Sequence, residues 1–294
     1  MKVLALDVGG TAIKSALISN NKISRESQVP SDGKLGGPHV IENMMKVIDS
    51  YKDYDMIGVS TTGQVDSDNG TIIYANENVP NYTGTNLKKI LEDKYKKKVF
   101  VENDVNAAAL GEGFYGAARN EKNFLCLTYG TGIGGAIVIN KQIYKGSLGV
   151  AGEMGHIVTH IQGKLCSCGQ LGCYEQYAST TALIREANKI DPTITNGKIL
   201  FSKINNKDEV ATEVLSQWIN EILYGLVNLI HIFNPSCIIL GGGIMEQPYI
   251  IESINKKIPD KIMESFKNVK IISAELGNHA GVYGMAAIAN ERML

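Results

Sequence analysis

At 294 residues the chain is longer than one compact core usually holds and fits two domains of ordinary size. Its 29 Lys+Arg stand against 30 Asp+Glu, which excludes a global basic field for gathering nucleic acid or anionic lipid and favours a small, locally recognised substrate. The opening MKVLALDVGG shows no secretory or transit leader, and every apolar run falls short of the roughly 20 residues that span a bilayer, so a cytoplasmic protein without membrane contact is expected.

Residues 2–18, KVLALDVGGTAIKSALI, read as strand, Gly-Gly-Thr turn and strand, a β-hairpin. A helix near 39–52, a strand at 56–60 (MIGVS), a strand at 71–75 (TIIYA) and a helix near 84–95 follow. The basic run Lys94–Lys98 reads as the solvated end of that helix. The strand KVFVEN at 98–103 feeds the helix DVNAAALGEGFYGA, whose Ala-rich face suits close packing. At 124–139, FLCLTYGTGIGGAIVI repeats the opening hairpin without gaps, Gly130 standing where Gly9 stood, which implies that each domain is built on a related βββαβα plan. The longest periodic helix runs over 213–233 and is stopped by Asn234 and Pro235. The strand CIILGGG follows, and AGVYGMAAIANERML closes the chain as a helix that packs back on the first domain. Strands alternating with helices give an α/β class with mixed sheets flanked by helices. No linker composition separates the halves, so the boundary rests on the repeat: a first domain at 1–117, completed by the helix at about 280–294, and a second at 118–279.

Gly130, Gly132 and Gly135 match a dinucleotide fingerprint on paper, but that fingerprint must open a helix, and an apolar strand follows here. No GxxxxGK[ST] string is present either. What remains is a pair of tight turns, Gly9-Gly10-Thr11 and Gly130-Thr131-Gly132 with Gly134 beyond. Their backbone amides and threonine hydroxyls can approach phosphate from both sides of an ATP tail. Asp7 ends an apolar strand directly before the first turn, where a carboxylate beside phosphate would be repulsive unless Mg²⁺ lay between them.

Of the five cysteines, Cys126 and Cys237 lie inside apolar strand-like runs, while Cys166, Cys168 and Cys173 crowd into eight residues. In a reducing compartment that cluster points to metal instead of disulfides. With His156 upstream it forms three thiolates and one imidazole, a closed tetrahedral set suited to structural Zn²⁺, with His160 a second candidate for the fourth position. A zinc whose positions are all filled by protein organises its loop and holds no catalytic water.

LALDVGGTAIK, VENDVNAAALGE, YGTGIGGAIV, GEMGH, CSCGQLGCYE and IILGGGI occur in the order and spacing of the ROK family of sugar kinases and repressors, which the chain resembles along essentially its whole length. The resemblance implies an actin-like ATPase (ribonuclease H-like) fold of two domains, with ATP in the inter-domain cleft, sugar deep within it, and a homodimer. It implies Asp104 as general base, where the local sequence alone equally allows an N-cap. It further implies Gly241, Gly242 and Gly243 as the adenosine-side turn, and Gly63, Asn78, Asn103, Glu153, His156 and Glu175 as the grip on sugar hydroxyls. Local sequence expects Asp104 to stay ionised beside a helix N-terminus, and expects the imidazole nitrogen of His156 left over from zinc to face sugar. Repressors of the family carry a helix-turn-helix ahead of the first phosphate turn, and Asp7 stands close to the start of this sequence, so a kinase is expected. GGTAIK and NLIHIFNP look somewhat closer to the family's β-glucoside kinases. The expected reaction is transfer of the ATP γ-phosphate to the 6-hydroxyl of glucose or of a β-glucoside such as cellobiose, with N-acetylmannosamine, fructose, or a sugar-responsive regulator as alternatives.

Overall fold

The computed structural model describes residues 1–291, so the last three residues of the helix expected at 280–294 lie outside the described residues. Two compact units emerge: Met1–Asn120 with Ile137–Ala151 and the stretch from Asn278, and Glu121–Ala136 with Gly152–Gly277.

In the first unit β1 (Lys2–Val8), β2 (Ala12–Ser19) and β3 (Lys22–Pro30) form an antiparallel meander, followed by α1 (Gly37–Asp49), β4 (Met56–Thr61), the small hairpin β5 (Gln64–Asp66) and β6 (Thr71–Tyr74), α2 (Leu87–Tyr95), β7 (Lys98–Asn103) and α3 (Asp104–Tyr115). The sheet order is β3-β2-β1-β4-β7, with β1, β4 and β7 parallel. The third strand that the βββαβα plan calls for is the edge strand β3, to which the sequence assigned no residues. Its KISRESQVP sequence is polar and mostly exposed, so no apolar alternation announces it. Its register is set by the turn at Asn20-Asn21, both left-handed.

The second sheet collects β8 (Phe124–Tyr129), β9 (Ile133–Ile139) and β10 (Gln142–Ile143), joined after α4 (Glu175–Ala178), α5 (Thr180–Ile190), α6 (Gly197–Asn205) and α7 (Glu209–Phe233) by β11 (Cys237–Gly241) and, after α8 (Pro248–Lys257), β12 (Lys270–Ser273). Its order is β10-β9-β8-β11-β12. The β9–β10 turn again uses two left-handed residues, Asn140 and Lys141, so the internal repeat extends to turn chemistry. α7 begins at an Asp208 side-chain cap and ends at left-handed Asn234 ahead of Pro235.

One face of the first sheet packs Leu4, Leu6, Val8, Ile57 and Val59 against α1 and α2. The other packs Val3, Ala5, Ala16, Met56 and Phe100 against α3 and the final helix α9 (Ala280–Glu291). α3 and α9 approach so closely that a Cβ at Gly284 would run into the carbonyl of Ala107, which explains the small-residue face of α3. No helix among the described residues is long and apolar enough to cross a membrane.

Candidate functional site

In the first unit, the strand registers set Lys14 beside Asp7, Asp7 beside Ser60 and Ser60 beside Glu102. These four share the parity of the apolar residues under α9, so a polar row ends that core layer at the C-terminal edge of β1, β4 and β7. Ser60 is fully buried and donates its hydroxyl to Oδ1 of Asp7 at 2.9 Å. Burial pushes the Asp7 carboxyl up, while Ser60 and Lys14 oppose that shift. The turn after Asp7 closes with Gly9 N donating to the Ala12 carbonyl at 2.9 Å. It is braced from behind, the carbonyls of Gly10 and Thr11 accepting from Gly33 and Ser31. The amides of Gly10 and Thr11 meet no acceptor among the described residues.

Asp104 is the first residue of α3, but the cap is its neighbour. Asn103 Oδ1 accepts from Val105 N at 2.9 Å and Asn106 N at 3.1 Å, while Nδ2 donates to the Gly63 carbonyl and to Asp104 Oδ1, each at 2.9 Å. The N-cap allowed for Asp104 by sequence thus belongs to Asn103. Buried Glu102 supports the junction, its Oε1 accepting from Asn103 N at 3.0 Å and Asn106 Nδ2 at 3.1 Å. Burial, then the negative charge of Asp7, raises Asp104 to about 7 against the opposing hydrogen bonds from Val105 and Asn103. The helix terminus expected to keep Asp104 ionised is outweighed by desolvation, which favours the protonated form. Gly63 and Asn103 are brought together. Asn78 is exposed and bonds within its own turn, its amide donating to Asn76 Oδ1 at 3.0 Å.

In the second unit, Gly130 N donates to the Gly132 carbonyl at 3.0 Å, closing the turn around Thr131, while Gly134 stands inside β9. The Gly241–Gly243 turn ends β11, where Gly241 pairs with Thr128 of β8, so both glycine turns leave the same edge of this sheet. Gly242 has φ 101° and its Cα faces the Tyr129 carbonyl, a place without room for a side chain.

His156, Cys166, Cys168 and Cys173 offer four ligand atoms that all lie within 4.8 Å of one another. Nδ1 of His156 is 3.7 Å from Cys166 Sγ, and the sulfurs of Cys168 and Cys173 are 3.6 Å apart. Tetrahedral zinc with bonds of about 2.0–2.3 Å needs ligands about 3.5 Å apart, so a Cys₃His set fits here. Burial first, then the neighbouring Cys168 and Cys166, push the Cys173 thiol up to about 12. A divalent cation would offset that crowding of charge. His160 is engaged elsewhere, stacked on Tyr177 at 3.8 Å and 3.5 Å from Glu221, so the histidine that shares the cluster with the three cysteines is His156. Nε2 of His156 points away from the sulfurs, 3.9 Å from exposed Glu153. Glu175 lies between cluster and turn: Oε1 is 3.2 Å from Cys166 Sγ, and Oε2 accepts from Ile133 N at 3.4 Å.

Sequence reasoning passed over Lys14, Ser60 and Glu102. The available signal was polarity in register at the ends of three otherwise apolar strands.

The ROK family matches residues 3–292. A glucokinase of Thermotoga maritima is 32% identical over 314 aligned positions, covering 100% of this chain and 98% of the relative. A xylose repressor of Bacillus subtilis is 31% identical, covering 81% of this chain and 62% of the repressor. The crystal structure of a ROK family glucokinase from Streptomyces griseus, in complex with glucose and AMPPNP, superposes with a TM-score of 0.87 at 28% identity, covering 99% of this chain and 100% of that one. The two mixed five-stranded sheets with flanking helices have the actin-like ATPase fold expected. With a match running over nearly every residue and relatives above 30% identity along its length, the chain belongs to the ROK family.

Proposed function

We propose that the chain is an ATP-dependent sugar kinase acting on the 6-hydroxyl of a glucose unit, either free glucose or a β-glucoside such as cellobiose. One observation carries this reading over a purely regulatory one: Asn103 fixes Asp104 at the start of α3, its Nδ2 donating to Asp104 Oδ1 at 2.9 Å, where burial and then the charge of Asp7 raise the carboxyl to about 7. A general base works best with its pKa near the operating pH.

Asp104 accepts the proton of the attacking hydroxyl. The amides of Gly10 and Thr11 and those of Thr131 and Gly132, in the turn that Gly130 closes, bind phosphate oxygens, and Gly241–Gly243 lies against adenosine. Gly63, Asn78, Asn103, Glu153, Glu175 and Nε2 of His156 hold ring hydroxyls, since carboxylates, amides and imidazole offer paired donors and acceptors. Magnesium, when bound with ATP beside Asp7, would neutralise developing phosphate charge. Zinc on His156, Cys166, Cys168 and Cys173 would fix the loop that carries Glu153 and leads into Glu175. The two compact units serve as the two domains of the kinase.

ATP consumption measured over glucose, cellobiose, fructose and N-acetylmannosamine tests the reading. Turnover of glucose or cellobiose supports it. Turnover confined to N-acetylmannosamine or fructose moves the substrate, and none with any sugar favours the regulator that the family's repressors exemplify.

A further inference from the structure

One cation in the first unit is left unused by the roles above. Nζ of Lys14 lies 3.8 Å from Oδ2 of Asp7, the residue it faces across the β1–β2 pair. The same ammonium donates to Oδ1 of Asn278 at 3.0 Å, so it is tethered and not merely nearby. The other Asp7 oxygen, Oδ1, accepts from the buried Ser60 hydroxyl. Both oxygens that Asp7 can offer a hard divalent cation are thereby engaged, one by a hydroxyl proton and one by a full positive charge.

We propose that Lys14 is the resident counter-ion of Asp7 in the nucleotide-free chain, keeping a free divalent cation off this carboxylate until nucleotide phosphates arrive to take over the ammonium. The inference rests on magnesium–ATP being the partner of Asp7. A divalent ion on Oδ2 would sit about as far from the ammonium as the carboxylate does, and its repulsion there is twice that between unit charges, in surroundings less screening than bulk water. Phosphate oxygens change the balance. They accept the ammonium on its flexible four-carbon stem and bridge to the metal, so that no charge is left unpaired when Lys14 leaves Asp7. Metal then enters together with nucleotide and not before it.

The test is a titration of the full-length, zinc-loaded protein with Mn²⁺, a paramagnetic substitute for Mg²⁺, followed by electron paramagnetic resonance with and without AMPPNP. Without nucleotide, the wild type should bind Mn²⁺ only weakly. Lys14→Met should tighten that binding on the order of tenfold or more, and Lys14→Gln serves if the Met variant does not fold. Lys14→Arg keeps the charge and should stay weak. Adding Asp7→Asn to Lys14→Met should abolish the gain. The proposal is overturned if the wild type binds as tightly as Lys14→Met, or if the gain survives Asp7→Asn. Absence of a Mn²⁺–AMPPNP complex in the wild type would overturn the assignment of metal–nucleotide to this chain, and the release step with it, while the nucleotide-free comparison separately decides the counter-ion.

Discussion

Replacing Asp104 by Asn should make the protein more stable and nearly inactive at once. The folded-state value of Asp104, about 7, lies above its ordinary 3.8, so the native chain holds a proton that the unfolded chain has already released. Stability therefore declines as pH climbs from about 4 through about 7, and the full cost is present above 7. A shift of this size corresponds to at most about 4 kcal/mol, and partial solvent access brings the expected value to about 1–3 kcal/mol. Asn preserves the oxygen that accepts from Val105 N and Asn103 Nδ2 but carries no charge to desolvate. Urea denaturation at pH 5.0 and pH 8.0, without nucleotide or added magnesium, should show the two proteins closer in stability at the lower pH and the variant ahead at the higher. Turnover should fall by about 10²- to 10⁴-fold, with sugar affinity by calorimetry changing far less. Near wild-type turnover in a folded Asn variant would refute the general-base role, and equal stability at pH 8.0 would refute the raised pKa.

The purified chain should contain about one zinc, and Cys166→Ser or Cys173→Ser should lower stability and sugar affinity together, because the loop bearing His156 and Glu175 loses its anchor; metal analysis with calorimetry checks this, and unchanged sugar binding after zinc loss would refute the coupling. Gly242→Ala should destabilise the fold by about 1–3 kcal/mol and weaken nucleotide binding more than sugar binding, since φ 101° and the Tyr129 carbonyl leave no room for a methyl; thermal melts and nucleotide titration read both. If β-glucosides are used, cellobiose should react or compete with glucose, and failure at both in a competition assay would count against that substrate. The apparent kcat/KM should fall as pH drops below about 7, as Asp104 gains its proton; a flat profile between pH 6 and 8 would contradict it.

Much of this site was legible in the chain because its chemistry is local. Asp7 with its turn, Asn103-Asp104 and the CxCGxxGC loop are short strings whose spacing fixes geometry. His156 was preferred to His160 from the sequence, but what holds the second imidazole elsewhere, Tyr177 and Glu221, is brought to it only by the fold. The row Lys14–Asp7–Ser60–Glu102 was likewise hidden, being assembled by strand register between segments far apart in sequence. The residues of β3 escaped, although the repeat called for a third strand, because an exposed edge strand needs no apolar face, and the cap at Asn103 because sequence cannot tell which of two adjacent polar residues turns inward. The raised pKa of Asp104 comes from burial and from the charge of Asp7, which only the tertiary fold brings near it.

Phosphoryl transfer to the 6-hydroxyl can be followed by ³¹P nuclear magnetic resonance of ATP in the presence of the folded, zinc-loaded protein, magnesium and either glucose or cellobiose. A kinase acting there should show loss of the γ-phosphate signal in step with the appearance of a phosphomonoester coupled to the two protons of a sugar C6. An unchanged ATP spectrum with both sugars, under conditions where calorimetry shows the sugar bound, would contradict it.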